Sequence, residues 1–281
     1  MDKVFKKIRP LHEYIREHSV WLAHIMFLFE EKMNTTVNYF YLKKRSDVSC
    51  VKKLSRNAIW IFCVAFNNPP LIEKQIELFQ KNSDENTILI IADNSSDTKK
   101  RTTIQHICEK GNVRYINLPK NPRTQPSLNH GLALNWLYYN VIKKEHPWAF
   151  GFIDHDIFPT RTIDIAGKLN DHDAYGLKIE RKNGALSAWY LWPGFCFYQG
   201  NYFNNVKPNF SCVIISRWNG YVGLDTGGGN FEKIYKNNPG TILFATKKTS
   251  ANGSEIIDDW FHVAKASFKK PEELYDIMTA L

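Results

Sequence analysis

Continuous apolar runs alternating with amphipathic segments organise the middle of this chain. Ala58 to Phe66 and Thr87 to Ala92 are apolar without a polar alternation, as expected of strands buried on both faces. Val113 to Leu118 and Trp148 to Ile153 read as two further strands. Between them lie helical patterns at Leu71 to Gln80, Lys99 to Lys110 and Ser127 to Lys144. Pro70 suits a first helical turn, Gly111-Asn112 a helix stop, and Ser127 an N-cap. This order predicts an α/β fold, a mainly parallel central sheet flanked by helices.

The second half has a different texture. Ala174 to Ile179, Leu186 to Trp192, Gly194 to Tyr198, Phe210 to Ser216 and Thr241 to Thr246 are short strand candidates, rich in aromatics and separated by Gly, Pro and Asn. Gly223 to Asn230 reads as a loop entering a helix at Phe231 to Lys236, and Pro271 to Leu281 as a closing helix. Before Ser55-Arg56-Asn57 the pattern is helical and basic. The expected organisation is a helical extension over 1–57, a domain over 58–265 with halves 58–157 and 158–265, and a helix over 266–281.

Ligands of parallel α/β sheets bind beyond the carboxyl ends of the strands. Asn67, Asp93 and Asp154 all fall at such ends. Asp154-His155-Asp156 is the most suggestive, because residues two apart on a strand point the same way. Two close carboxylates repel unless a positive charge lies between them, and a divalent cation so held commonly carries substrate phosphates. The same tripeptide recurs at Asp171-His172-Asp173 in a polar stretch. No strand delivers that copy, and it reads as a turn.

Charge refines this picture. The formal net charge is +9 over 281 residues, with 43% hydrophobic and 14% aromatic content, as in a folded globular protein. Residues 1–57 hold twelve Lys/Arg and six Asp/Glu, so +6 of the total lies in that extension. A basic end suits an anionic surface such as a membrane, an acidic glycan or nucleic acid; equally it is a solvated helical face. Val20 to Phe29 is apolar but shorter than the roughly 20 residues that span a bilayer, and no signal peptide is evident. The stretch is expected to pack on the main domain, with peripheral membrane contact the second reading. Five scattered cysteines form no CxxC pair, which fits a reducing, cytoplasmic setting.

The ordered set Val64-Ala65-Phe66-Asn67, Ala92-Asp93-Asn94-Ser95-Ser96-Asp97, Ser127 to Asn135 and Asp154-His155-Asp156 resembles the GT-A fold of nucleotide-sugar-dependent glycosyltransferases, most closely the inverting family 2. The resemblance runs from about Ala58 to His262. It implies that Phe66 and Asn67 border the nucleotide base and that Asp93 accepts hydrogen bonds from base or ribose. Asp93 is equally a turn residue. Asn129 and Asn135 are placed to reach the nucleotide, although Asn135 equally satisfies backbone groups inside the fold. His130 reads as structural. Asp154 would bind ribose or metal, Asp156 metal and diphosphate, and His262 the same metal; a mixed O/N set favours Mn2+ somewhat over Mg2+.

An inverting transferase needs a carboxylate to take the acceptor's proton. Asp225 is the candidate, with three following glycines that would let substrate approach the backbone; it is equally a helix N-cap. Asp258 and Asp259 are the rivals. Trp189, Tyr190 and Trp192 are candidates for stacking on sugar rings and equally core residues. The implied activity is transfer from a nucleotide-sugar, UDP-sugar by default, to a glycan or lipid-linked acceptor in surface polysaccharide synthesis. The alternatives are a nucleotidyltransferase, disfavoured because Asn67-Asn68-Pro69-Pro70 lacks Gly, Lys and Arg, and a nucleic-acid-binding protein, for which no recognition motif appears.

Overall fold

A computed structural model describes residues 19–217, 220–237, 239–250, 253–264, 266 and 269–281. Among the described residues, thirteen strands and four helices position the site. The first are α1 (Val20–Leu42), β1 (Ile59–Ala65), α2 (Pro69–Asn82), β2 (Thr87–Asp93), α3 (Thr98–Lys110), β3 (Arg114–Asn117), α4 (Pro126–Leu137), β4 (Ala149–Asp154), β5 (Ile157–Pro159), β6 (Ala174–Asn183), β7 (Leu186–Gln199), β8 (Val213–Arg217) and β9 (Gly220–Leu224). Strands β10 (Ile242–Phe244), β11 (Lys247–Thr249), β12 (Glu255–Ile257) and β13 (Trp260–His262) complete the second half.

The main sheet has seven strands in the order β10-β6-β7-β4-β1-β2-β3. The pairs β4–β1, β1–β2, β2–β3 and β10–β6 are parallel, and only β7 opposes its neighbours. This matches the expected mainly parallel sheet. Along β1 alternate side chains serve opposite layers. Trp60, Phe62 and Val64 enter one core with Ile90, Phe150 and Phe152. Ile59, Ile61, Cys63 and Ala65 enter the other with Leu89, Ile91 and Ile153. Burial on both sides is why these runs lack a polar alternation.

Several expectations are corrected. The helix after Pro126 is capped by Gln125, whose side chain accepts from Leu128 N, and not by Ser127. It passes into a π-helical segment at Tyr138–Ile142 instead of running on as one α-helix to Lys144. The two strands expected on either side of Pro193 are one, β7. Its pairing with β6 slips between Gly176 and Lys178, where Trp192 to Phe195 bulge. Proline is tolerated there because a bulge needs no ladder hydrogen bond.

A second, antiparallel sheet has the order β11-β12-β13-β5. It sets His262 opposite Ile157 and Glu255 opposite His262. Val263 N also donates to Asp156 O at 2.9 Å. The segment around His262 is thereby stitched to the residue that follows the Asp154 turn.

The helix expected to begin at Val20 continues to Leu42 and packs on the main domain. It buries Ala23, Phe27 and Tyr41 there, the Phe27 ring centroid 4.9 Å from that of Tyr221, and adds polar contacts. His24 Nδ1 lies 2.9 Å from Ser216 Oγ, Asn34 Oδ1 accepts from Arg123 at 2.6 Å, and Tyr41 donates to Pro119 O at 2.9 Å. No helix among the described residues is long and apolar enough to cross a membrane.

Candidate active site

Parallel pairing decides which residues meet at the sheet edge. Asp154 lies in register with Val64, and Asp93 with Ala65. The ends of β4, β1 and β2 therefore form one ledge, and the segments that follow them carry the candidate chemistry.

The turn after β4 is held from below. Gln75 of α2 is fully buried, and its Nε2 donates to Asp154 O at 3.0 Å and to Ile157 O at 2.9 Å. These two carbonyls flank His155 and Asp156, so one amide closes the turn. Its Oε1 is buried without a partner. Nothing in the sequence marks Gln75 beyond its being a polar residue on the buried side of an amphipathic helix.

Asp156 and His262 face one another, Nε2 to Oδ1 3.7 Å, and both are mostly buried. Burial, helped by the nearby Asp154, pushes the Asp156 carboxyl up to about 7 against the opposing pull of His262. The imidazole is fixed from its other side, Nδ1 lying 2.8 Å from Glu255 Oε2. Glu255 in turn accepts from Lys247 Nζ at 2.8 Å. Burial disfavours the ionised Glu255, but the bonds from Lys247 and His262 outweigh it and hold its carboxyl below the usual range. A carboxylate that orients an imidazole in this way is the usual outer support of a metal-binding histidine. Glu255 was not recognised in the sequence, because its pairing with His262 depends on a hairpin between short, weakly patterned strands.

On the other flank, His130 Nε2 is 3.7 Å from Asp154 Oδ1. Burial lowers the His130 pKa, opposed by Asp154 and Asp225, so those two carboxylates share its surroundings. His130 thus stands beside Asp154, partly buried as expected of it. It stands one turn into α4, whose start is tied to the Asp225 loop by a bond from Thr226 Oγ1 to Ser127 O at 3.1 Å.

Asp225 is exposed just beyond β9, with Oδ1 accepting from Thr226 N at 2.7 Å. The glycines after it serve the fold. Gly227 has φ +93°, and a Cβ there would meet Pro193 at 2.7 Å; at Gly228 it would meet Leu224, and at Gly229 the Asn209 carbonyl at 2.6 Å. The expectation that they admit substrate is therefore corrected: the space beside them is filled by the chain itself.

Asp258 and Asp259 lie in the turn between β12 and β13, while His262 is at the far end of β13. At about 3.3 Å per residue, Asp259 is roughly 10 Å along the strand from His262. Asp258 is also engaged, accepting from Tyr175 at 2.5 Å and from Thr246 N at 2.9 Å. Neither rival joins the site.

The residues expected around a base divide in two. Phe66 is exposed and Asn67 half-buried at the rim. Asn67 takes φ +52°, and its Oδ1 accepts from Ser96 N and Asp97 N at 3.1 and 3.0 Å. Asp93 is fully buried, accepting from Ser95 N at 2.8 Å and from Tyr115 at 3.0 Å. Asn129 bonds Asn94 and donates to Arg123 O at 2.7 Å. Asn135 is fully buried, accepts from Phe210 N at 2.8 Å and donates to Ser211 Oγ at 3.0 Å. Asp93, Asn129 and Asn135 thus brace the loops under the ledge. Trp192 lies beside His262, its ring centroid 5.1 Å from that of His262. Trp189 instead stacks on Tyr235 at 4.9 Å, and Tyr190 is buried core.

The donor set of Asp154, Asp156 and His262 suits a divalent cation in chemistry: two hard oxygens, an imidazole, and a buried carboxyl that lacks neutralising charge. Ligand atoms on one octahedral ion lie about 3 Å apart, so the 3.7 Å between Asp156 and His262 has to shorten on binding. Among the described residues no three His, Cys, Asp or Glu already stand at ligand geometry.

No protein-family model matches the sequence, and no curated protein does. Structures similar to this chain include TarS of S. aureus (14% identity, 54% of this chain and 30% of that one, TM-score 0.39). They include the mannosyltransferase PcManGT from Pyrobaculum calidifontis in complex with GDP-Man and Mn2+ (14% identity, 67% and 56%, TM-score 0.36). The mannosyltransferase Ktr4p from S. cerevisiae is a third (12% identity, 62% and 66%, TM-score 0.38). The chain thus spans less than two thirds of each. These overlaps are partial and remote, and the chemistry of the site has to be read from its own residues.

Proposed function

We propose that this chain is a metal-dependent glycosyltransferase that moves a sugar from a nucleotide-sugar donor, a UDP-sugar by preference, to a glycan or lipid-linked acceptor. The observation that carries the reading is the placing of Asp154 at the end of β4 and of Asp156 in the clamped turn after it, at the carboxyl edge of a parallel sheet, with Asp154 near enough to raise the Asp156 carboxyl and His262 brought against Asp156. An uncompensated carboxyl there is poised for a cation.

In this reading Asp154, Asp156 and His262 hold Mn2+ or Mg2+. The cation would act as a Lewis acid for the charge that builds on the departing diphosphate. Phe66 and Asn67 border the base, while Asp93 and Asn129 keep their neighbouring loops in shape. His130, held largely neutral by burial, is placed to donate a hydrogen bond toward Asp154 or a donor oxygen. Asp225, exposed across from His130, takes the proton from the acceptor hydroxyl as the new glycosidic bond forms, which implies inversion at the sugar carbon. Synthesis of a surface polysaccharide is the setting that suits such an acceptor.

Calorimetric titration of UDP, GDP, dTDP and CMP, with and without Mn2+, tests this on wild type and Asp156→Ala. Metal-dependent binding of one nucleotide, lost in the variant, is the expected result. Failure of all four to bind would overturn the reading.

A further inference from the structure

Helix α1 is apolar on its outward side as well as on its inward one. A helix at a protein surface normally turns its apolar side inward. Here the inward side does bury Ala23, Phe27 and Tyr41, and it also carries His24, Asn34 and Asn38, bonded to Ser216, Arg123 and Asn135. The outward side carries Trp21, Leu22, Ile25, Leu28 and Phe29, between 45% and 68% exposed. Successive helix positions turn by about 100°, which puts these five on one stripe. The stripe continues through Lys32 to Tyr39, Phe40 and Lys43. Tyr39 and Phe40 are 55% and 62% exposed, and Lys43 Nζ lies 4.0 Å above the Tyr39 ring. The first five residues alone leave on the order of 500 Å² of apolar surface in water, as large as the whole patch found on a typical monomer.

The charge along the stripe is one-sided. Lys32 and Lys43 lie on it, whereas Glu30 and Glu31 are each about 130° round the helix from its centre. Aromatic rings with lysines among them, on an apolar helix face, suit the headgroup layer of a membrane, where amphipathic rings settle and lysine stems reach for anions. A second copy of the chain fits less well. Lys32 is at the middle of α1, so a two-fold antiparallel pairing along the stripe would set Lys32 against its own copy.

We propose that the outward stripe of α1 lies in the headgroup layer of an anionic lipid bilayer, with the helix axis parallel to the membrane plane and the main domain behind it. The inference does not rest on the catalytic reading. Its test is co-sedimentation of the full chain with phosphatidylcholine vesicles, with and without phosphatidylglycerol, in the absence of nucleotide.

Wild type is expected to partition onto the phosphatidylglycerol vesicles, less so as salt rises. Leu28→Ser/Phe29→Ser should lower partitioning at least about tenfold. Lys32→Gln and Lys43→Gln should each lower it about fivefold. All of these positions are exposed, so melting temperatures should stay at the wild-type value and a folding defect would be visible as a shift. Three results overturn the proposal: no wild-type binding to either vesicle, equal binding by Leu28→Ser/Phe29→Ser, or a wild-type dimer that this double variant dissociates without any vesicle binding.

Discussion

Replacing Gln75 by leucine tests how the turn that carries Asp154 and Asp156 is kept in place. Leucine fills much the same volume but withdraws the amide that bonds Asp154 O and Ile157 O. Each lost bond costs about 1 kcal/mol net, and more where the carbonyl stays dry. Removing the partnerless Oε1 returns about 1 kcal/mol of desolvation. The expected balance is about 1–2 kcal/mol of stability, a fall in melting temperature of about 2–3 °C for a chain of this size. The larger effect falls on the site. Re-ordering one or two loosened backbone residues costs about 1–2 kcal/mol each, which weakens cation-dependent nucleotide binding by about tenfold or more. Thermal scanning and calorimetry on the same preparation separate the two effects. A variant that melts lower yet binds Mn2+ and nucleotide as wild type does would refute the claim that Gln75 organises the turn.

Glu255→Gln keeps the hairpin but weakens the fixing of His262; cation affinity should fall about tenfold with little change in melting, and unchanged affinity would dismiss Glu255 as a support. Asp225→Asn should cut turnover by about a hundredfold or more while donor affinity, measured by calorimetry, holds; retained turnover would pass the base role elsewhere. For Asp156 the folded-state pKa of about 7 lies above the ordinary carboxyl value of 3.8, so the folded state holds the proton more tightly. Its contribution therefore declines as pH rises from about 4 to about 7 and stays low beyond. Without divalent cation, wild type should lose melting temperature across that window relative to Asp156→Asn, and added Mn2+ should restore it; parallel pH profiles for the two proteins would count against the shift.

What the sequence disclosed follows from where the information is local. Strands buried on both faces, such as Ile59–Ala65, announce themselves by composition, and the Asp154-His155-Asp156 turn stands out against the strand that delivers it. Lys99 to Lys110 was visible from its periodicity, with Gly111 closing it. The remainder depends on distant pairing. His130 looked like one more helix residue until α4 was set beside the end of β4. Glu255 acquires meaning only through its register with His262. The proline in β7 signalled a break that the bulge beside Gly176 makes unnecessary. The glycines after Asp225 suggested room for a ligand, whereas the packing of Pro193, Leu224 and Asn209 uses that room. The orientation of α1 escaped notice because an apolar stretch does not reveal which way it faces.

The pairing of β13 with β5 also sets an order of assembly. Strands β1 to β4 are close in sequence and can find one another early, as short-range contacts do. His262 reaches Asp156 only after the intervening β6–β12 segment has been made and folded, since β13 docks on β5 across that whole length. Until then Asp154 and Asp156 stand at an open sheet edge without their histidine. A ribosome-bound chain halted before Trp260 would thus hold the ledge but not the Asp156–His262 contact, which forms only when the late strand arrives.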